Sequence, residues 1–445
     1  MNSQKKIARF IQNIRTAEIP KDILQDISYR IVDWLGCAVL GKNYPQTNIA
    51  KQLIKEYGGA PEVLILGSGQ KASLLDAAFI NGIMGHVVEL DDGHRLAIGH
   101  PGSIALPVAL AFGEKCSCTG EEFLKAVIIG YEVFIRLGRV VNPSHYRYWH
   151  TTGTCGVFAA AAVAAYFLKL DARRTVNALG IAGTMAAGLQ ETFGSHAKVL
   201  NIGQACRNGS MAALLAQRGF TGPEDIIMGA KGFVNATSTA ASEDLIDNID
   251  SMEYLSATAF YKIYASCGHT NSALDAVFAI LNKQKIRAED IENILVETYK
   301  ISVDLTGRLK CDTEDQAKFS LPYCIALAVI YGRIALSEFK EKIRKNEHVL
   351  HLATKVNVIE NADATKVFPK RWAKVTIFFK DGSSVCKKVV DSNDVPDYKQ
   401  IENKFISAML TSGHRRETAE MILQIVLSLG TKGHIAEFFN KIYDI

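Results

Sequence analysis

The chain has 445 residues, of which 48% are hydrophobic and 22% are charged, and its formal net charge is only +4. This composition excludes a disordered, collagen-like or coiled-coil chain, and the near balance of charge gives no electrostatic footprint for nucleic acid. The longest apolar stretch, residues 153–168, is about one turn short of the ~18 to 20 residues that a membrane-spanning helix needs. The sequence therefore predicts a soluble protein with no nucleic-acid or membrane partner. Nine cysteines are too sparse for a disulfide scaffold, and the basic N-terminus has apolar residues at helical spacing, so we expect reduced thiols and a cytoplasmic protein.

The first half of the chain has the pattern of a series of helices. Between about residues 7 and 219, apolar residues recur every three or four positions, as on one face of a helix, most clearly in residues 24–39 and 123–137. Glycines stand where these helices are expected to stop, at Gly41, Gly58, Gly120, Gly138 and Gly219. Because no strand-like alternation interrupts this part, it is predicted to be helical without strands.

The pattern changes after about residue 270. Residues 294–302 are rich in β-branched and aromatic side chains, which is typical of a strand, and another strand-like run begins at Val356. Residues 373–379 and 385–390 flank an Asp-Gly pair, a strong hairpin signal. Helices are predicted for residues 321–336, 337–344 and 398–445. The sequence therefore predicts a mainly α protein, in which a large all-helical domain (1–268 and 393–445) contains a smaller inserted α+β lid domain (269–392).

One polar cluster lies between two apolar helices and contains Glu89, Asp91, Asp92, His94, Arg95 and His100. A solvated loop with helix-capping side chains would explain it, and so would a histidine that works as general acid and base beside a carboxylate. A metal site is a weaker interpretation, since the two histidines are six apart and the nine cysteines show no zinc-ligand spacing. The spacing of these residues therefore predicts no metal site.

Two further clusters precede helices of small residues. Residues 145–154 include His150 and stand immediately before an Ala-rich helix, whose N-terminus offers free backbone N–H groups to a carboxylate. Residues 196–203 contribute the cation of Lys198. Each cluster alone is more simply an aromatic-rich loop or a surface lysine. Together they suggest a site for a small anion with several carboxylates.

Eight short stretches resemble the MmgE/PrpD superfamily and occur in its order along most of the chain. They are DWLGCA (33–38), AFING (78–82), the run from His86 through ELDD (89–92), HPGS (100–103), WHTTGTCG (149–156), AKVLNIGQA (197–205), KIYASC with His269 and Thr270 (262–270), and KFSLPY (318–323). The superfamily includes 2-methylcitrate dehydratases, cis-aconitate decarboxylases and iminodisuccinate epimerase. The resemblance implies a helical domain with a smaller α/β lid, catalysis without metal or organic cofactor, and a homodimer.

The resemblance also implies roles for particular residues, carried over by motif. The catalytic residues would be His100, Tyr323, Lys262 and Lys198, and the substrate-binding residues would be Glu89, Asp91, Asp92, His94, Arg95 and His150. His94 and Arg95 could instead cap the loop. We expect the groups of the helical domain to face Lys262 and Tyr323 across one cleft.

These features predict a cofactor-independent lyase, a dehydratase or a decarboxylase, that acts on a small di- or tricarboxylic acid through a carbanion or enolate-like intermediate. An epimerase of the iminodisuccinate type and a non-catalytic carboxylate-binding homologue remain alternatives. Glu89 stands where the decarboxylase has Asp, and Gly93 replaces a Thr of the same loop. Because these departures fall on the substrate-facing loop, they leave the identity of the substrate open.

Overall fold

The structure is a computed structural model that describes residues 2–239, 246, 248–250, 253–392, 396–432, 435–443 and 445. The chain is mainly helical, as the sequence predicts, and divides into two compact units. Unit 1 comprises Met1–Glu191, Ala197–Tyr261 and Pro396–Ile445, and unit 2 comprises Thr192–His196 and Lys262–Val395. The predicted domain boundaries at 268/269 and 392/393 stay a prediction. Among the described residues, no helix has both the length and the apolarity that crossing a membrane requires.

Unit 1 is a helical assembly around a buried Ala-rich helix. Its N-terminal helices are α1 (Ser3–Asn13), α2 (Lys21–Gly41), α3 (Pro45–Tyr57), α4 (Leu74–His86), α5 (Gly102–Lys115), α6 (Gly120–Val141), α7 (Thr151–Phe167), α8 (Ala172–Thr184), α9 (Ala197–Gln217) and α10 (Phe233–Thr237). The C-terminal segment adds Tyr398–Thr411, Arg416–Leu427, Leu429–Lys432 and Ile435–Tyr443. Every residue of α7 is buried, and α7 packs against α6, α8 and α9. Its small side chains allow these helices to approach closely.

Side-chain caps fix where several of these helices begin. Ser73 accepts the N–H of Asp76 at the start of α4, and Thr119 forms a capping box with Glu122 at the start of α6. Such caps satisfy backbone N–H groups that have no partner inside the helix. Because α4 ends at His86 and α5 begins at Gly102, the two helices hold the ends of the polar loop between them.

The prediction that the first half contains no strand is wrong. The structure has β1 (Val63–Ile65) and β2 (Gln70–Ala72), which pair antiparallel. Three residues are too few to show alternation, and all of β1 is buried, so its apolar run resembles a helix segment. The Glu114 carboxylate of α5 accepts the N–H of Leu64 at 2.6 Å. Contacts with α4 and α5 thus stabilise β1, and these contacts cannot be inferred from the local sequence.

Two of the five predicted helix stops are also wrong. Gly120 is the first residue of α6, and Gly138 lies inside the same helix. A Cβ atom on Gly138 would lie 2.6 Å from the Cβ of Ala97, a distance at which the two atoms would overlap. The absence of a side chain therefore lets α6 approach the loop that joins α4 to α5, and it does not end the helix.

Unit 2 contains a four-stranded sheet made of β3 (Ile291–Thr298), β4 (Val356–Glu360), β5 (Ala373–Phe379) and β6 (Ser384–Val389). The strand order is β4-β3-β5-β6, with β4 parallel to β3 and the other pairs antiparallel. The predicted β5–β6 hairpin is confirmed: Gly382 has φ +85, and the Asp381 carboxylate accepts the N–H of Ser383. The helices are Asn271–Leu281, Lys300–Thr306, Glu314–Ala317, Leu321–Tyr331, Glu341–Arg344, Glu347–Thr354 and Ala362–Lys366.

Two elements of unit 2 end earlier than predicted. The strand predicted for residues 294–302 ends at Thr298, because a helix begins at Lys300. The helix predicted to reach residue 336 ends at Tyr331, where Gly332 adopts the left-handed conformation and donates its N–H to the carbonyl of Ala328. This is an ordinary glycine C-terminal cap.

Candidate active site

Most of the polar loop between α4 and α5 is buried. Its three acidic side chains belong to residues that are at most 5% exposed, so a solvated loop does not describe it. Glu89 (φ 57) and Ile98 (φ 47) both adopt the left-handed conformation, which non-glycine residues rarely do. Gly93 pairs through its backbone with Phe260. The loop thus has a defined conformation held by the rest of unit 1.

Asp91 is the centre of a hydrogen-bond cluster. Its Oδ2 atom lies 2.8 Å from Nδ1 of His86, accepts the hydroxyl of Ser103 at 2.7 Å, and lies 3.3 Å from Nδ1 of His100. Burial alone would raise the pKa of Asp91. Electrostatic interactions and hydrogen bonds with His86 and His100 outweigh burial and hold this pKa well below its usual value. Asp91 is therefore a carboxylate at neutral pH.

Asp92, the next residue, faces different partners. Its Oδ2 accepts the Tyr131 hydroxyl at 2.7 Å, and its Oδ1 accepts the N–H of Gly102 at the start of α5 at 3.2 Å. Burial raises the pKa of Asp92 to about 7, although Arg30 lies 3.9 Å away and opposes the rise. A Cβ on Gly102 would lie 2.7 Å from Oδ1, so this approach requires glycine. Asp92 thereby anchors the loop to helices α2, α5 and α6.

His100 has a tautomer fixed by the backbone. Its Nδ1 lies 2.7 Å from the carbonyl oxygen of Asp92, and a carbonyl can only accept, so Nδ1 carries the proton. The neutral ring therefore has its lone pair on Nε2. The His100 backbone N–H donates to the Thr152 hydroxyl, and the side chain remains 16% exposed. This ring can take up a proton at Nε2 and give it back.

Lys198, near the start of α9, contacts two buried groups of the loop. Its Nζ donates to Nε2 of His86 at 2.6 Å and to the Glu89 carboxylate. An ammonium has only N–H donors, so His86 accepts at Nε2 and directs its own Nδ1–H toward Asp91. The cation and the carboxylates therefore form one connected network.

His150 immediately precedes α7 and is also buried. The amide nitrogen of Asn201 lies 3.2 Å from Nδ1 and donates to it, which leaves the ring proton on Nε2. Burial holds the pKa of His150 well below 6.5, and electrostatic interactions with Lys198, His86 and His100 lower it further. At neutral pH this histidine is an uncharged N–H donor. Its ring centroid lies 6.3 Å from that of His86.

Unit 1 therefore brings together six of the ten residues that the sequence singles out, namely Glu89, Asp91, Asp92, His100, His150 and Lys198. His94 is on the same loop, where Nδ1 accepts the N–H of Ala97 and Nε2 contacts the Thr258 hydroxyl. Arg95 follows it and is partly buried. His94 thus makes the contacts of a loop-stabilising residue.

Lys262 and Tyr323 belong to unit 2, where both are buried. The Tyr323 hydroxyl donates to the carbonyl of Glu338 at 3.0 Å, and burial raises the pKa of Tyr323. The phenol therefore holds its proton at neutral pH. The catalytic roles predicted for these two residues stay predictions.

One group of side chains among the described residues has the proximity of a metal site. His86, Glu89 and His100 offer ligand atoms within 4.8 Å of one another. The ammonium of Lys198 contacts two of them, His86 and Glu89. A metal ion bound by all three would have to displace this ammonium or bear its repulsion, so the arrangement favours an internal ion pair over an ion site.

Three residues that hold the loop were not found from the sequence. Tyr131 and Arg30 contact Asp92, and Lys404 donates to the carbonyl of Leu90 at 2.7 Å. They lie on α6, α2 and the helix Tyr398–Thr411, far from the loop along the chain. The helices that carry Arg30 and Tyr131 bury other polar and charged side chains as well, such as Asp33 and Glu132, so nothing local in the sequence sets these residues apart.

The comparisons with known proteins agree with this architecture. The sequence pattern of the MmgE/PrpD N-terminal domain matches residues 5–245, and that of the MmgE/PrpD C-terminal domain matches residues 264–430. Together these matches cover most of the chain. The chain belongs to the MmgE/PrpD family.

Several curated relatives are named as decarboxylases. The chain is 24% identical over 472 residues to the cis-aconitate decarboxylase-like protein oryM of Aspergillus oryzae, with 99% of this chain and 97% of that protein covered. It is 26% identical to the cis-aconitate decarboxylase of Aspergillus terreus, with 86% and 84% covered. It is 25% identical to that of Homo sapiens, with 85% and 81% covered. These relatives support a lyase at the level of the family.

Proposed function

We propose that this protein is a cofactor-independent lyase that acts on a small di- or tricarboxylic acid, and that decarboxylation is the reaction to test first. The observation that carries the proposal is the buried cluster of unit 1, in which His100 has a fixed tautomer beside Lys198 and the neutral N–H donor His150. The names of the relatives, cis-aconitate decarboxylases, support this order of testing.

The chemistry needs two things that this cluster offers. When a carboxylate leaves as CO₂, the electron pair of the broken C–C bond stays on carbon as a carbanion or enolate, and a proton must then reach that carbon. Protonated His100 supplies this proton from Nε2 and is left neutral. In dehydration the same atom takes a proton from carbon while hydroxide leaves.

The developing negative charge must also be stabilised. Lys198 supplies a positive charge and His150 supplies an Nε2–H donor, and both belong to buried residues. Fixed donors in a site that excludes water stabilise such charge more than water does. Glu89 and Asp91 offset the positive charge of the cluster and hold the donors in place.

An epimerase is the second candidate, and one observation favours it. Epimerisation needs a group that removes a proton and a group that returns one, and unit 1 holds two imidazoles in complementary states. His100 has its lone pair on Nε2 whereas His150 has its proton there. A non-catalytic homologue would have no need to keep such a pair buried and oriented.

A substrate panel followed by proton NMR in D₂O tests the proposal. The panel contains cis-aconitate, 2-methylcitrate, iminodisuccinate and related acids without added metal. Loss of CO₂ with uptake of one deuterium on carbon, either at the former carboxyl-bearing carbon or at the far end of an adjacent double bond, supports a decarboxylase, and an alkene formed from a hydroxy acid supports a dehydratase. Deuterium uptake without a new product supports the epimerase. No change in any acid would overturn the enzymatic proposal.

Lys262 and Tyr323 are further proposed catalytic residues, because both stand in stretches that resemble the family. Lys262→Gln and Tyr323→Phe remove the charge and the hydroxyl with little change in size. If its group takes part, each variant should lower turnover of the accepted acid while the protein is still folded at the assay temperature. Tyr323→Phe also loses the hydrogen bond to the Glu338 carbonyl, so its melting temperature should fall somewhat. We also propose a homodimer, which light scattering on the purified protein would test.

A further inference from the structure

His86 is the last residue of α4 and is fully buried. The reaction proposed above assigns no role to His86, yet both of its ring nitrogens contact groups that do have a role. Nδ1 lies 2.8 Å from Asp91, and Nε2 lies 2.6 Å from the ammonium of Lys198. An imidazole buried among three charged groups is tolerated only if each of its hydrogen-bonding atoms has a partner. Both ring nitrogens of His86 have one, so chance packing does not explain the arrangement.

We propose that His86 is a positioning residue that fixes the direction of the Lys198 ammonium in the active site. The inference rests on the proposed function, because a fixed ammonium matters only if Lys198 stabilises charge in that reaction. Nε2 of His86 and the Glu89 carboxylate accept from the Lys198 ammonium at two separate positions. Each acceptor limits rotation about the Cε–Nζ bond, so loss of Nε2 would change the direction in which the ammonium N–H groups point.

The same ring also connects the cation to the proton-transfer residue. Lys198 donates to Nε2 of His86, and Nδ1–H of His86 donates to Oδ2 of Asp91. That oxygen lies 3.3 Å from Nδ1 of His100. One carboxylate oxygen therefore contacts both the histidine that holds the cation and the histidine proposed to move the proton.

Two substitutions separate the two bonds of His86. Gln places an amide oxygen near the position of Nε2 and can accept from Lys198, whereas Asn places an amide N–H near Nδ1 and can donate to Asp91. If the direction of Lys198 matters, His86→Asn should lose about tenfold or more in kcat/KM, since small misplacements cost up to about 10²-fold. His86→Gln should stay within about threefold, and both variants should melt at similar temperatures.

The other outcomes overturn the inference. Retained activity in both variants would mean that neither bond matters, and equal losses that follow the melting temperature would mean a merely structural histidine. Loss in His86→Gln with activity retained in His86→Asn would assign the role to Asp91 alone.

A second measurement does not depend on activity. Long-range ¹H–¹⁵N spectra of histidine-labelled protein report which ring nitrogen carries the proton, and the His86 signals are those that disappear in His86→Gln. We expect the Nδ1–H tautomer, with Nε2 unprotonated. An Nε2–H ring or a doubly protonated ring would overturn the positioning role even in an active enzyme. If the wild-type protein converts no acid of the panel while the tautomer is as expected, the proposed function fails and the geometry of His86 stands.

Discussion

Replacing His100 with Gln separates the proposed proton transfer from the architecture of the loop. Gln keeps a polar group of similar length but has no basic lone pair that can take up a proton. Removal of a general acid or base costs about 10²- to 10⁴-fold in rate. We expect turnover of the accepted acid to fall by at least about 10²-fold, which is about 2.7 kcal/mol of activation free energy.

The effect on stability should be much smaller. The His100 side chain donates one hydrogen bond to the carbonyl of Asp92 and lies near the carboxylate of Asp91. A net contribution of about 1 kcal/mol for a neutral hydrogen bond, or about 2 kcal/mol with a charged partner, sets the expected loss. His100→Gln should therefore remain folded at the assay temperature, which thermal unfolding would show.

His145→Gln is the matched control, because His145 is a buried histidine of unit 1 outside the predicted site residues. Its ring nitrogens contact the carbonyl of Thr237 and the hydroxyl of Thr154, so this variant should lose stability by about 1–3 kcal/mol and keep turnover within a few-fold. Initial rates by NMR and melting temperatures are measured for both variants. The assignment of His100 is refuted if His100→Gln keeps more than about a tenth of wild-type turnover, or if folded His145→Gln loses as much.

Three further predictions concern pH, packing and metal. Burial raises the pKa of Asp92 from 3.8 to about 7, so between these pH values the folded state binds a proton that the unfolded state has lost. The free energy of unfolding therefore falls as pH rises from about 4 to about 7, by up to about 4 kcal/mol. The melting temperature of Asp92→Asn relative to wild type should therefore rise between pH 5 and pH 8, and a constant difference would contradict this pKa. Gly138→Ala places a Cβ 2.6 Å from that of Ala97, so it should destabilise the protein by about 1–3 kcal/mol and lower turnover by displacing the loop; an unchanged melting temperature would contradict the contact. Turnover should survive exhaustive chelation, and stoichiometric zinc or iron that restores lost activity would show the opposite.

Local patterns predicted those parts of the fold whose cause is local. The β5–β6 hairpin follows from the Asp381-Gly382 turn between alternating runs, and the long helices follow from their apolar period. β1 was not predictable in this way, since three buried residues carry no period. The glycine at position 138 does not end a helix. It is needed because Ala97, more than 40 positions earlier in the sequence, packs against it, and no local pattern shows this contact.

In the candidate site, too, features with a local cause could be predicted and features that depend on distant residues could not. Glu89, Asp91 and His100 stand close together in the sequence, so their grouping could be predicted from one loop. The groups that hold this loop, Arg30, Tyr131 and Lys404, come from three separate helices. The packing of unit 1 decides which helix supplies the partner of a buried carboxylate. This packing cannot be inferred from the spacing of residues in the sequence.

The two consecutive aspartates show why the residue type alone could not define their roles. Asp91 and Asp92 are both buried, yet the pKa of Asp91 is held well below its usual value and that of Asp92 is raised. Burial acts on both in the same direction, so the partners decide the difference. Two histidines contact a single oxygen of Asp91, whereas Asp92 receives one phenol, one backbone N–H and a more distant arginine. The carbonyl oxygen of Asp92 also accepts the ring Nδ1–H of His100. The backbone of Asp92 and the side chain of Asp91 therefore together orient the ring that is proposed to move the proton.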